Sequence, residues 1–131
     1  MLLSIDSADS RPIYVQIMDE IRRALVLRTI KADEPLPSVR QLATELAVHP
    51  NTILQAYREL EREGAVYMKR GQGTFAAALT TGRRERQALA TAVARRALRD
   101  AYRHGLSVDE LVDELRDLAA TEARPKRARA Q

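Results

Sequence analysis

At 131 residues the chain has room for one small domain, or one with an appendage. Hydrophobic residues make up 45% and aromatic ones only 4%, so the core must be aliphatic, and a net charge of +4 suits an anionic partner. The absence of cysteine excludes a disulfide framework, a thiolate metal site and a cysteine nucleophile, and no run approaches the roughly 20 apolar residues of a membrane span.

The opening MLLSIDSADS lacks the basic leader and sustained apolar run of a signal peptide. The chain is therefore expected to be soluble and cytoplasmic, with Met1 to Ser10 extended or loose. Pro12 then opens a helix bearing Ile13, Ile17, Ile21 and Leu25 at every fourth residue, widened by Tyr14 and Met18. That helix should run to about Arg28 and supply the third helix that a small core needs. Thr29 to Pro37 is a connector in which Pro35 and Pro37 hold Leu36 extended, as a single short strand.

The stretch Leu36 to Leu60 carries two apolar stripes with helical spacing, Val39, Leu42, Ala43, Leu46 and then Ile53, Ala56, Tyr57, Leu60. Only Ala47 to Pro50 separates them, so the two helices must cross steeply, as in a helix-turn-helix. Ser38 with Gln41 forms a capping box at the start of the first helix. Pro50 suits the first position of the second, where a missing N–H is harmless, and Gly64 suits its left-handed end.

On the side of the second helix away from its apolar stripe fall Asn51, Gln55, Arg58 and Arg62, with no carboxylate among them. Asn and Gln pair with an adenine edge, and Arg reads guanine or holds a phosphate. The plain alternative is a solvated helix face. Beyond Gly64 the pattern changes to two short strands, Ala65 to Arg70 and Thr74 to Ala77, around Gly71-Gln72-Gly73. A hairpin directly after the second helix makes a winged helix. Lys69 and Arg70 make its tip positive, and the glycines Gly71 and Gly73 serve the turn while leaving room for close approach to phosphate or a minor groove.

Thr80 to Arg84 reads as a linker. A helix from about Arg84 to His104 follows, with Leu89, Val93, Ala94, Ala97, Leu98, Ala101 and Tyr102 on a broad apolar face, ended by Gly105. Ser107 with Glu110 forms a second capping box. The last helix bears Val108, Leu111, Val112, Leu115, Leu118 and Ala119, and its polar side is acidic, whereas the preceding helix is rich in arginine. Two such helices bury little alone, so they are expected to pair with a second copy through Leu89, Val93, Leu98, Tyr102, Leu111, Leu115 and Leu118. Packing onto the winged helix is the alternative. Ala123 to Gln131 is a basic tail, expected to be disordered.

The run LPSVRQLATELAVHPNTILQAYRELEREGAVYMKRGQGTF resembles the DNA-binding domain of the GntR family of bacterial transcription regulators. Pro12 to Ile17 resembles the opening helix of its YtrA-type subfamily. By this resemblance, Arg40 corresponds to an arginine that reaches bases or backbone. His49, Pro50, Asn51 and Thr52 correspond to the start of the recognition helix that enters the major groove. Arg70 and Gly71 correspond to the wing tip, and Ser38 to a phosphate contact beyond its cap. Proline at position 50 makes no side-chain hydrogen bond, so base reading shifts to His49, Asn51 and Gln55. Family members usually carry glycine after the first helix and again before LPSVR, where this chain has Arg28-Thr29 and Asp33-Glu34, so the connector is expected to turn differently. The resemblance also implies dimers with a short helical C-terminus.

No catalytic or metal constellation is visible, since His49 and His104 stand in different contexts without carboxylates at useful spacing. No enzyme activity, cofactor or metal is expected, and no effector is identified. The fold expected is mainly α with a small β-hairpin. A winged helix-turn-helix domain (1–79) precedes a two-helix dimerisation segment (80–122) and a disordered basic tail (123–131). The expected function is a homodimeric transcription regulator, a repressor, binding an inverted repeat in double-stranded DNA. Lys69, Arg70 and Arg58 would hold phosphates while Asn51, Gln55 and Arg40 read bases. A winged helix serving as a protein-interaction module is the alternative, as is a fragment of an aminotransferase-fused regulator.

Overall fold

The computed structural model describes Leu3, residues 5–78 and residues 82–123. The element order is α1 (Ile13–Val26), α2 (Val39–Leu46), α3 (Pro50–Arg62), β1 (Val66–Lys69), β2 (Gly73–Ala76), α4 (Arg83–Arg103) and α5 (Val108–Ala123). Two compact units result, Met1–Leu79 and Thr80–Gln131. The tail 124–131 and residues 79–81 of the expected linker lie outside the described residues.

In the first unit, α3 packs on α1, α2 and β1. Its stripe Ile53, Ala56, Tyr57 and Leu60 is fully buried against Ile17, Ile21 and Leu42 in one aliphatic core. Ser38 and Gln41 form the expected capping box, each amide meeting the other's side chain at 3.0 Å. The hairpin pairs Tyr67 with Phe75 and Lys69 with Gly73, and turns Val66, Thr74 and Ala76 toward the core.

Residues 33–36 form a third, edge position beside β2. Asp33 N–H donates to Ala76 O at 2.7 Å, Ala76 N–H to Glu34 O at 2.9 Å, and Leu36 N–H to Thr74 O at 2.8 Å. Pro35, which has no N–H, makes the single bridge to Phe75, as suits an edge.

The amino-terminal segment is held where the sequence suggested looseness. Leu3 and Ile5 pack against the core. The buried Gln16 accepts from Asp6 N–H at 3.0 Å and donates to Arg11 O at 3.1 Å. Helix α1 also stops at Val26, two residues short of the expected end.

Four of the described helices end alike, α4 among them, with Leu106 N–H on Ala101 O at 2.9 Å and Gly105 N–H on Tyr102 O at 3.0 Å. At α3, Ala65 N–H reaches Leu60 O at 2.9 Å and Gly64 N–H reaches Glu61 O at 2.9 Å, with Gly64 at φ 81°. This is the paired-bond Schellman end, which needs one left-handed residue. Helix α1 makes the same pair of bonds around Arg28 at φ 59°, and α2 around Ala47 at φ 54°. Asp33, at φ 63°, is also left-handed. The connector thus turns at Arg28 and Asp33 with positive φ, the conformation that glycine adopts at least cost.

Holding an L-residue in the left-handed region costs about 1–2 kcal/mol. Ala47→Gly and Arg28→Gly are each expected to stabilise the chain by about 0.5–1 kcal/mol, after allowing for the greater unfolded-state freedom of glycine. Gly64→Ala should destabilise it by about 1 kcal/mol. Urea unfolding of the full chain measures all three, and stabilisation by Gly64→Ala would refute the strain assignment.

Candidate nucleic-acid interface

Burial of Ile53, Ala56, Tyr57 and Leu60 fixes which side of α3 faces outward. Asn51, Gln55, Arg58 and Arg62 are all exposed on that side, and Thr52 is half-buried at its edge. Arg62 pairs with Glu59 at 2.8 Å. Tyr57 locks the orientation from within, since its hydroxyl donates to Pro37 O at 2.7 Å. Burial, with the Glu45 carboxylate nearby, pushes that hydroxyl well above its ordinary pKa, so it remains a donor.

The start of α3 has a cap that the sequence did not reveal. His49 precedes Pro50 in extended conformation, and its Nδ1 accepts from Asn51 N–H at 3.1 Å. A neutral ring used in this way carries its proton on Nε2, so His49 faces outward as a hydrogen-bond donor. Thr52 N–H is taken by His49 O at 3.0 Å, and Pro50 has none. The first turn therefore presents side chains outward and leaves the Asn51 and Thr52 amides already bonded.

Arg40 is exposed on α2, one turn before Thr44, whose hydroxyl donates to Arg40 O at 3.0 Å. Ser38 Oγ accepts the α2 cap bond and keeps its own proton available to an anion.

On the wing, Gln72 N–H closes the turn onto Lys69 O at 2.9 Å. Gly71, in the third position of this turn, sits at φ 75°, and Gly73 follows at φ 117°. Lys69, Arg70, Gly71, Gln72 and Gly73 are all exposed.

An aromatic support that no short-range spacing in the sequence marks lies under Lys69. Tyr67 and Phe75 stack with centroids 5.5 Å apart and planes 19° apart. Lys69 Nζ lies 5.9 Å from the Tyr67 centroid and 5.7 Å from that of Phe75, within range of a cation–π attraction. Gly73, opposite Lys69, has no side chain to compete for this space. Tyr67 is steadied by a 2.8 Å bond from its hydroxyl to Asp33 Oδ1, which raises its pKa. The pairing of 67 with 75 was implicit in the hairpin register, and that register was the signal that would have found it.

Charge is segregated over this unit. On the α1 side, Arg11 pairs with Asp9 and Asp19, Arg22 with Asp19 and Glu63, and Arg23 with Glu20. No carboxylate occurs from Leu46 to Arg58, nor from Gly64 to Arg84. Among the described residues, Arg40, Arg58, Lys69 and Arg70 form no ion pair. A polyanion would meet their charge in full.

No group of three or more His, Asp or Glu capable of holding a metal occurs among the described residues, and no described helix is long and apolar enough to cross a membrane.

The profile of bacterial regulatory proteins of the gntR family matches residues 13–76. The HTH-type transcriptional repressor YtrA of Bacillus subtilis (strain 168) is 33% identical over 121 residues, 91% of this chain and 93% of that protein. A structure described as a transcriptional antiterminator from Listeria monocytogenes EGD-e matches with a TM-score of 0.74 at 28% identity, covering 92% of this chain and 90% of its own. AraR(DBD) in complex with operator ORE1 matches with a TM-score of 0.51 at 28% identity, over 59% of this chain and 94% of its own. With a YtrA repressor matched along nearly its whole length, the chain belongs to the gntR family of bacterial regulatory proteins, among its YtrA-type members.

Proposed function

We propose that this chain, a DNA-binding transcription regulator, acts as a homodimeric repressor whose two α3 helices read the half-sites of an inverted repeat. The observation that carries the reading is the outward arc of α3 through Asn51, Gln55 and Arg58, polar and set opposite a fully buried stripe, with the helix's carboxylates Glu59 and Glu61 to its flanks and Glu59 taken up by Arg62. Asn51 and Gln55 have the chemistry to pair with adenine edges, and Arg40 and the Nε2 donor of His49 to reach base acceptors or backbone. Arg58, Lys69, Arg70 and the Ser38 hydroxyl suit phosphates, while Pro50 and Thr52 shape the first turn and Gly71 and Gly73 keep the wing tip slim. A protein-interaction module would need an apolar patch here. Among the described residues of the first unit, the large hydrophobics most exposed are Ile13, Val26 and Leu27, on or beside α1 and away from this face.

Dimerisation is supported by the second unit. Ala101 is buried, and Ala97, Leu98, Leu111 and Val112 are half-buried near the turn that joins α4 to α5. The Ser107–Glu110 capping box is formed, with both bonds at 3.1 Å. Away from the turn, Leu89 is 61% exposed, Val93 56%, Leu115 52% and Leu118 51%. Tyr102 is exposed as well. Two helices packed along their full length would cover these side chains, so the unit offers an apolar face to a second copy.

Selection of genomic fragments by the full chain near physiological salt should enrich an inverted repeat with half-sites about 10 bp apart, or a multiple of that. Failure to enrich any sequence would overturn the operator reading. Asn51→Ala should cost about 1–3 kcal/mol on the selected operator and much less on random DNA. Lys69→Met or Arg58→Met should instead weaken all sequences alike and lower the slope of log K against log salt by about 1. Equal losses on operator and random DNA for Asn51→Ala would remove it as a base reader. Leu115→Asp with Leu118→Asp should convert the dimer to monomer in sedimentation equilibrium, with α-helical circular dichroism retained.

A further inference from the structure

We propose that self-association, on the dimer reading above, is specified by charge: the arginine stripe of α4 in one copy docks on the acidic stripe of α5 in the second copy. At 3.6 residues per turn, Arg95, Arg96, Arg99 and Arg103 fall within an arc of roughly 100° on α4. Asp109, Glu110, Asp113, Glu114 and Asp117 fall within about 140° on α5. All nine side chains are exposed.

Within one chain the two stripes face away from each other. Helix α4 turns Ala97, Leu98 and Ala101 inward, on the side opposite its arginines. Helix α5 turns Leu111 and Val112 inward, on the side opposite its carboxylates. Accordingly, among the described residues no ion pair joins α4 to α5. Among the described residues of this unit, the one such approach lies within α4 itself, where His104 Nδ1 is 3.9 Å from Asp100 Oδ1. Complementary stripes of this density are thus left unused by the fold of a single chain.

The apolar side chains that remain exposed lie beside these stripes. By helical angle Leu89 and Val93 border Arg96, and Leu118 borders Glu114, while Leu115 lies on the face shared with Leu111 and Val112. An apolar strip flanked by charge is the arrangement in which charged pairs set partner choice and orientation. Two-fold symmetry makes the same contact twice, since stripe meets counter-stripe in both directions. Arg96, Arg99 and Arg103 lie together on one side of α4 with Ala97 and Asp100, three cations to one carboxylate, a surface of net positive charge. DNA phosphate is the weaker fit for this stripe, because the other helix of the same unit carries six carboxylates, five of them in the acidic stripe.

The test uses two full-length variants, Arg96→Glu with Arg99→Glu, and Asp113→Arg with Asp117→Arg. Each reverses two charges of one stripe, out of four arginines or five carboxylates, and leaves the other stripe intact, so each variant opposes like charges at those positions in its own dimer. Self-association measured by sedimentation equilibrium should weaken by about tenfold or more for either variant alone. An equimolar mixture should recover the dimer as a heterodimer, because every contact is again between opposite charges. For the unmodified chain, dimer affinity should fall as salt rises, whereas an apolar contact alone would not weaken.

Wild-type self-association by both variants would overturn the proposal and leave the dimer reading standing. Failure of the mixture to recover would overturn it too, since only pairing between copies is rescued by mixing. Loss of DNA affinity by Arg96→Glu with Arg99→Glu, with self-association intact, would assign the stripe to DNA. A monomeric unmodified chain at micromolar concentration would remove the dimer reading and this proposal together.

Discussion

The winged helix depends on how Tyr57 is held. It is the largest of the fully buried side chains, in a core that is otherwise aliphatic, and its hydroxyl finds its partner at Pro37 O, just before the α2 cap. A buried hydroxyl without a partner would cost about 1–3 kcal/mol, so the bond selects one rotation of α3 about its axis. With Tyr57 inward, Ile53, Ala56 and Leu60 are inward too, and Asn51, Gln55 and Arg58 have only solvent to face. The same bond ties α3 to the chain entering α2. The angle between the two helices and the aspect of the recognition face therefore follow from one buried contact.

Charge then differentiates the two sides of this unit. On α1 the arginines are spent on nearby carboxylates, and such exposed pairs contribute little to stability. Their effect is to cancel field on that side. Among the described residues, Arg58 on the α3 face and Lys69 and Arg70 on the wing form no ion pair, and only Arg62, at the end of α3, is paired, with Glu59, so the field of the other cations is left open. Lys69 is the most elaborated case, since Gly73 clears the space opposite it, Tyr67 and Phe75 fill that space with aromatic surface, and Asp33 holds Tyr67. The ammonium is steadied by ring faces rather than by a carboxylate, which keeps its charge available to phosphate.

What could be read in the sequence was local. Both capping boxes, the buried stripe of α3, the glycine-ended helices α3 and α4 and the hairpin follow from spacing of a few residues, and all are present. Of the α1 stripe Ile17, Met18 and Ile21 are buried and Tyr14 and Leu25 half-buried, while Ile13, at the helix start, is 42% exposed. What could not be read involves residues distant in sequence or backbone states that residue type does not announce. Gln16 holds the amino-terminal segment across ten positions, and no periodicity marks that. The His49 cap uses a residue type seldom assigned that role. Arg28, Ala47 and Asp33 adopt a left-handed conformation that their side chains disfavour. Asp33 has a compensation, since its backbone N–H bonds Ala76 and its carboxylate bonds Tyr67. The departure from glycine there joins the connector to the wing. No comparable contact accompanies Arg28. For the second unit, periodicity gave two amphipathic helices but not how far they pack, so the exposure of Leu89, Val93, Leu115 and Leu118 is a structural finding.

On the proposed reading the two units share a physical variable. One α3 helix offers few base-reading side chains, each good pair contributing about 1–3 kcal/mol of discrimination. A single winged helix therefore stands only modestly above its own phosphate-driven affinity for any sequence. Joining two copies makes the second half-site contact intramolecular, which multiplies affinity without a new base contact. If the joint is itself made by charged stripes, salt weakens the dimer and its phosphate contacts together. Operator occupancy then falls more steeply with ionic strength than either step would alone. A dimer closed by leucines only would separate these responses, with DNA affinity falling as salt rises while the dimer persisted.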